Sequence, residues 1–174
     1  PYANERNGSK KIKDIRAVNV NFPVVKPKTK SRRPAWTDTA PRALPINKYP
    51  EFSRMGGGIP GYIEEPVWVQ VTVEDGTWGL GQCAFGTPVA ALIDGHFAPL
   101  LRGRDCMAIE FLNDLMWRSI QRIGVSGIAS VAQSAVDLAL WDIKGKLLDQ
   151  PVYRLLGGPS RDKIPLYSTT DDLD

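Results

Sequence analysis

The sequence contains few of the residues from which disulfide frameworks and zinc sites are built. Its 174 residues include two cysteines, Cys83 and Cys106, and one histidine, His96. Two cysteines cannot form a disulfide-rich framework, and with a single histidine they argue against a self-contained zinc site. Because reduced thiols are typical of the cytoplasm, we expect a cytoplasmic protein.

Long apolar runs are also missing. No run approaches the roughly 20 residues that a bilayer span requires, and the N-terminal segment contains no apolar stretch of the kind found in signal peptides. We therefore expect no membrane partner.

Charge is distributed unevenly over a composition that is otherwise ordinary for a globular protein. Residues 1–62 carry 13 Lys and Arg against 4 Asp and Glu, whereas residues 63–174 carry 9 against 15. Aromatic side chains do not alternate with the basic ones as in a base-stacking surface, so we expect no nucleic-acid partner. The basic third then fits either a solvated loop or a loop that meets an anionic small molecule.

The periodicity predicts an α+β fold with strands first and helices afterwards. Residues 10–22 form a predicted strand in which Val18, Val20 and Phe22 share one face. Residues 66–74 alternate strictly, Asp75-Gly76 is a strong hairpin turn, and 78–84 return as a third strand. These three strands are expected to form an antiparallel meander.

Four helices and one further strand follow the meander. The first helix is expected to begin with Thr87 as its N-cap and to end at Gly103, and the second has a predicted buried stripe that includes Ile123. The remaining predicted elements are a helix from Ser126 or Ser130 to Leu148, a helix over 152–156 and a strand over 163–169.

Residues 23–64 show neither the helical nor the strand period. They contain seven prolines and four glycines, and loops of this length inside a compact domain are usually functional or disordered. The basic residues of this segment can clamp a carboxylate or can simply be solvated. They are Arg32, Arg33, Arg42, Lys48 and Arg54.

The remaining polar residues form no complete catalytic constellation. Asp137 and Asp142 lie on the predicted long helix and are candidates for acid–base groups or metal ligands, but Asp142 is also spaced for an ion pair with Lys146. His96 is a conceivable general base, although a surface or capping role is the simpler interpretation.

One stretch of the long helix and the turn after it carries a specific pattern. Its members are Ala132, Ser134, Ala135, Val136, Asp137, Ala139, Leu140, Asp142, Ile143, Gly145, Lys146, Pro151, Val152, Leu155, Leu156 and Gly157. This pattern resembles the signature of the mandelate racemase/muconate lactonizing family of the enolase superfamily, and the resemblance extends over about residues 10–174. Residues 43–52, Ala-Leu-Pro-Ile-Asn-Lys-Tyr-Pro-Glu-Phe, are similar to a segment of the rhamnonate dehydratases in that family.

The resemblance implies a division of the chain. Residues 1–9 would be a flexible N-terminus, 10–158 a capping domain with a long mobile loop over 23–64, and 159–174 the truncated start of a (β/α) barrel. It also implies a bound Mg²⁺ held by the barrel portion that this chain does not contain, so that no metal ligand and no catalytic residue is assigned here.

The resemblance further implies where the substrate is met. The loop over 23–64 would close the active site, with Arg33, Trp36 and Arg54 as substrate-binding residues, and Thr169 would meet the substrate carboxylate. Similar dehydratases have a histidine near the start of this loop and an arginine pair after the Tyr-Pro-Glu segment. This sequence has Arg33-Pro-Ala-Trp36 and Met55-Gly-Gly-Gly58 there instead. The expectation is therefore an acid sugar in general, not rhamnonate in particular.

The expected function is that of the N-terminal part of a Mg²⁺-dependent acid-sugar dehydratase, which would be a homo-oligomer and inactive as this fragment alone. A racemase or cycloisomerase of the same superfamily is the alternative in chemistry. A non-catalytic binding module is the alternative if the chain ends at Asp174.

Overall fold

A computed structural model describes residues 10–21, 23, 45–52 and 66–166. The strands are β1 (Ile12–Val18), β2 (Val67–Val73) and β3 (Trp78–Cys83). The helices are α1 (Gly86–Leu92), α2 (Ala98–Leu101), α3 (Ile109–Ser119), α4 (Ile128–Leu148) and α5 (Val152–Leu155), and a π-helical turn (Ile93–Phe97) joins α1 to α2. Two short 3-10 helices, Pro45–Lys48 and Pro50–Phe52, lie within the 23–64 segment. The predicted α+β class is confirmed.

The three strands form one antiparallel sheet in the order β1-β2-β3. The strict alternation of β2 is confirmed, since Val67, Val69, Val71 and Val73 are buried and the residues between them are not. The turn at Asp75-Gly76 joins β2 to β3, and Lys10 donates to the Asp75 carboxylate. This contact and two hydrogen bonds from Thr77 lower the pKa of Asp75 to about 2.

The predicted phase of β1 is wrong. The strand ends at Val18, and its buried residues are Ile12 and Ile15, whereas Val18 is only partly buried. The register against β2 shifts between Ile12 and Asp14, so the strand contains a bulge. A bulge adds one residue to one strand and reverses the faces beyond it, so Ile12 and Ile15 are both buried. The predicted face failed because the strand ends at Val18 and because Ala17, not Val18, packs against the core.

Helix α4 packs across the sheet and closes the hydrophobic core. Its small residues face β3, where Gly79 and Gly81 leave no side chain between the two backbones. A Cβ atom at Gly81 would lie 1.9 Å from the Ala135 carbonyl oxygen, and one at Gly79 would lie 2.3 Å from that of Ala139. The close approach of helix and strand therefore depends on glycine at both positions.

Two helix boundaries differ from the predictions. Helix α1 begins at Gly86, after Phe85 in a left-handed conformation with φ of 74°, so Thr87 lies inside the helix and is not its N-cap. Helix α3 ends at Ser119, which places Ile123 beyond the helical stripe and leaves it 63% exposed. Gly103 does follow the end of α2, with φ of +79°.

The strand predicted over 163–169 is not formed in its described part. Residues 163–166 have no regular structure and are exposed, and the rest of that prediction, with Thr169, lies outside the described residues. A strand needs a hydrogen-bonded neighbour, and within the described ranges nothing pairs with this one. In the same ranges, no helix is both long and apolar enough to cross a membrane.

Candidate functional site

The four residues predicted to bind substrate, Arg33, Trp36, Arg54 and Thr169, all lie outside the described residues. Of the basic residues in the 23–64 segment, Lys48 is described, and it is exposed at the end of the first 3-10 helix. The Asn47 side-chain amide donates to the Phe52 carbonyl oxygen at 2.6 Å, which links the two 3-10 helices.

The described residues on either side of the 23–64 segment line one cavity. Asn19, just after β1, and Pro66, just before β2, both line a cavity of about 360 Å³ together with Thr87 and Asp94. The antiparallel pairing of β1 with β2 explains this arrangement, because it brings the end of one strand to the start of the other. The cavity therefore lies between the end of β1 and the start of β2, which flank the segment in sequence.

Asp94 is the charged group of this cavity, and sequence reasoning did not single it out. Its Oδ1 atom accepts a hydrogen bond from the Ala17 backbone N–H at 2.7 Å. The residue lies in the π-helical turn, whose extra residue changes which side chains face the sheet. No sequence pattern announces a π turn, so the contact of Asp94 with β1 follows only from the tertiary structure.

His96 lies in the same π turn and has a structural partner. Its Nε2 atom is 2.9 Å from the Ser119 hydroxyl, which in turn donates to the Met116 carbonyl oxygen at 2.7 Å. Since the one hydroxyl proton of Ser119 is used on Met116, we assign the proton of the first bond to Nε2. The pair links the π turn to the end of α3, in agreement with the structural interpretation of His96.

The two carboxylates of the long helix are also engaged in structural contacts. The predicted ion pair is confirmed, with Lys146 Nζ at 2.8 Å from Asp142 Oδ2. The second carboxylate, Asp137, accepts from the Asn113 side-chain amide at 2.9 Å. Through these contacts, neither Asp142 nor Asp137 forms an acid–base pair suited to catalysis.

The described residues do not fit the Mg²⁺ that the family implies. Among them, no group of three or more histidine, cysteine, aspartate or glutamate side chains is placed to hold a metal ion. Mg²⁺ is bound through oxygen ligands, of which carboxylates are the usual protein donors. We accordingly derive no chemical step through a metal held by these residues.

Burial keeps both thiols protonated. It raises the pKa of Cys83 and of Cys106 to about 11, and for Cys106 the neighbouring Asp105 carboxylate acts in the same direction. Since the thiolate is the reactive form, its fraction near pH 8 falls roughly 100-fold relative to an ordinary thiol. We expect iodoacetamide to alkylate neither cysteine appreciably in the folded protein at pH 8, as measured by intact mass. The same protein in denaturant is the control, and rapid modification of either thiol without denaturant would contradict the assignment.

The sheet, the helices behind it and the long connection between β1 and β2 define a known class of domain. Residues 63–157 match the family described as mandelate racemase / muconate lactonizing enzyme, N-terminal domain. The match covers more than half of the chain, and the chain belongs to this family.

Particular relatives are dehydratases by name. The chain is 41% identical to an L-rhamnonate dehydratase of Saccharopolyspora erythraea over 130 residues, which are 74% of this chain and 33% of that protein. It is 46% identical over 121 residues to a D-galactonate dehydratase family member of Musicola paradisiaca, covering 64% of this chain and 27% of that one. The chain thus spans about a third of the length of the curated relatives that it matches.

A solved structure agrees with the fold. Rhamnonate dehydratase from Gibberella zeae, crystallised in complex with Mg, superposes with a TM-score of 0.70 and 28% sequence identity. The superposition covers 88% of this chain and 38% of that one. The capping-domain fold expected from the sequence is confirmed.

Proposed function

We propose that this chain is the N-terminal part of an acid-sugar dehydratase, which removes water from a sugar acid to form a 2-keto-3-deoxy acid. The observation that carries the proposal is the 41% identity to an L-rhamnonate dehydratase over 130 residues. The reaction begins with removal of the proton α to the substrate carboxylate and continues with loss of the β-hydroxyl group as water. The resulting enol then tautomerises, with protonation at C3, to the 2-keto-3-deoxy acid. We propose a cytoplasmic homo-oligomer as the working form.

In this proposal the metal and the catalytic base belong to the barrel portion that this chain does not contain. When bound there, Mg²⁺ would stabilise the negative charge that develops on the substrate carboxylate. The Mg complex of the rhamnonate dehydratase from Gibberella zeae supports Mg²⁺ as the metal.

The part of this chain in catalysis would be to hold the substrate and to exclude water. We propose that the 23–64 segment closes over the sugar acid, with Arg33 and Arg54 as cationic donors and Trp36 as an apolar wall. Thr169 would donate its hydroxyl to the substrate carboxylate. Asn19 and Pro66, which flank the segment in sequence, line one cavity, and this supports a single anchored closure instead of two independent loops.

The test is an assay of the natural full-length protein against a library of sugar acids in the presence of Mg²⁺. We expect a 2-keto-3-deoxy product from at least one sugar acid, detected by its reaction with semicarbazide, and none from the 174-residue chain alone. Racemisation or cycloisomerisation without dehydration would replace the proposal by the alternative chemistry. Turnover by the isolated chain would show that the catalytic groups have been assigned to the wrong portion.

A further inference from the structure

Strand β3 is an edge strand of the described sheet. Within the described sheet β3 pairs only with β2, so its other edge presents backbone groups that have no strand partner. Unpaired edges of this kind are templates for pairing with another chain, and natural proteins usually protect them. Helix α4 runs beside this edge, because Gly79 and Gly81 allow it to approach closely.

Two side chains of α4 form hydrogen bonds with two of the backbone groups at that edge. Asp142 Oδ2 accepts a hydrogen bond from the Leu80 N–H at 2.9 Å. Lys146 Nζ donates to the Trp78 carbonyl oxygen at 2.8 Å and lies 4.2 Å from the centroid of the Trp78 ring. The ion pair between Asp142 and Lys146, at 2.8 Å, holds both side chains in place.

An ordinary surface ion pair would not need this geometry. Exposed pairs contribute little to stability, and an i,i+4 pair on a helix forms without any contact to a strand. Here the Leu80 N–H and the Trp78 carbonyl oxygen point out of the same edge. The N–H donates to the Asp142 carboxylate, and the carbonyl oxygen accepts from the Lys146 ammonium group. Hydrogen bonds to charged groups are stronger than neutral ones, so an incoming strand would have to displace them.

We propose that Asp142 and Lys146 are an edge guard, meaning that they prevent β3 from pairing with β3 of a second copy of this chain. An antiparallel pair of edge strands is compatible with two-fold symmetry, so the same guard would protect both copies. The guard acts on association and is independent of the proposed dehydratase activity.

The chain offers a matched control on α3. Asp114 and Arg118 form an i,i+4 ion pair at the same 2.8 Å, but their side chains are 53% and 68% exposed and bond to each other and not to a strand edge. The control pair and the guard pair thus have the same i,i+4 spacing, the same order of acid before base and the same distance. The difference is that the guard pair contacts the strand edge. Replacing either pair by alanine and methionine leaves the net charge unchanged.

The experiment compares Asp142→Ala/Lys146→Met with Asp114→Ala/Arg118→Met in the natural full-length protein. Sedimentation velocity over a range of concentrations measures self-association beyond the wild-type assembly. We expect the guard variant to associate at least roughly tenfold more tightly than the control variant, which should match wild type. Equal association of the two variants would overturn the proposal.

Two further variants keep the test decisive. Asp142→Asn retains an acceptor for Leu80 and should restore most of the wild-type behaviour, including slow hydrogen exchange of the Leu80 amide, whereas Asp142→Ala should lose that protection. Failure of this conservative variant to differ from Asp142→Ala would count against the guard. If the double variant does not fold, Lys146→Met is compared with Arg118→Met, and equal association of that pair would refute the proposal.

Discussion

Gly81→Ala is expected to lower the free energy of unfolding by about 3 kcal/mol or more. The added Cβ would lie 1.9 Å from the Ala135 carbonyl oxygen and 2.9 Å from its carbonyl carbon, far inside van der Waals contact. Both atoms are backbone of a 21-residue helix, so no flexible side chain can move aside. Overpacking of a core typically costs about 1–3 kcal/mol and occasionally more, and a clash with backbone belongs to the upper end. Urea denaturation followed by circular dichroism would measure the change.

Gly95→Ala is the matched control for that experiment. A Cβ at Gly95 meets nothing within 4 Å, and the residue lies in the helical run between α1 and α2. Because alanine favours helical backbone over glycine by about 1 kcal/mol, this variant should be neutral or slightly more stable. Similar losses at Gly81 and Gly95 would mean that the close approach of α4 to β3 does not depend on glycine.

Arg54→Ala is expected to lower kcat/KM of the full-length enzyme by roughly 10- to 150-fold while leaving the melting temperature nearly unchanged. The physical reason is the proposed charge-assisted contact with the acid sugar, which is worth on the order of 1.5–3 kcal/mol. Arg33→Ala is expected to act in the same direction. Steady-state kinetics on the identified sugar acid would measure both effects.

Lys11→Ala is the control for a lost positive charge. Its side chain is exposed beside β1, and its structural contact is made by the backbone, whose carbonyl oxygen accepts from the Glu74 N–H at 3.0 Å. This variant should keep wild-type kinetics. If Arg54→Ala and Arg33→Ala do so as well, the basic segment is only a solvated surface and its proposed part in substrate binding fails.

Much of the fold could be predicted because the pattern that produces it is local. The alternating valines of β2 and the turn at Asp75-Gly76 require only neighbouring residues, and the structure confirms both. The burial of both Ile12 and Ile15 could not be predicted from alternation, because the bulge near Lys13 is defined by pairing with a strand more than fifty residues away. The prediction that Ile123 is buried was also wrong, because the helix ends at Ser119 and Ile123 therefore does not continue its buried stripe.

The candidate site shows the same division. The bounds of the 23–64 segment were predicted from its prolines and glycines, and the three substrate-binding residues predicted in it, together with Thr169, remain predictions. Asp94 could not be found from the sequence, because a π turn and an antiparallel strand pair together bring its carboxylate to Ala17. Sequence spacing places residues on a face only while the helix keeps a regular period.

The sequence by itself determined the α+β class, the order of three strands followed by helices, the family signature and the ion pair of Asp142 with Lys146. Each of these depends on residues a few positions apart, where helix and strand geometry relate spacing directly to contact. Only the tertiary structure decided what that ion pair touches, since Leu80 lies 62 residues from Asp142 and Trp78 lies 68 residues from Lys146. Such contacts arise from the packing of helix against sheet, in which two glycines set the distance and the side chains above them reach the edge of the strand.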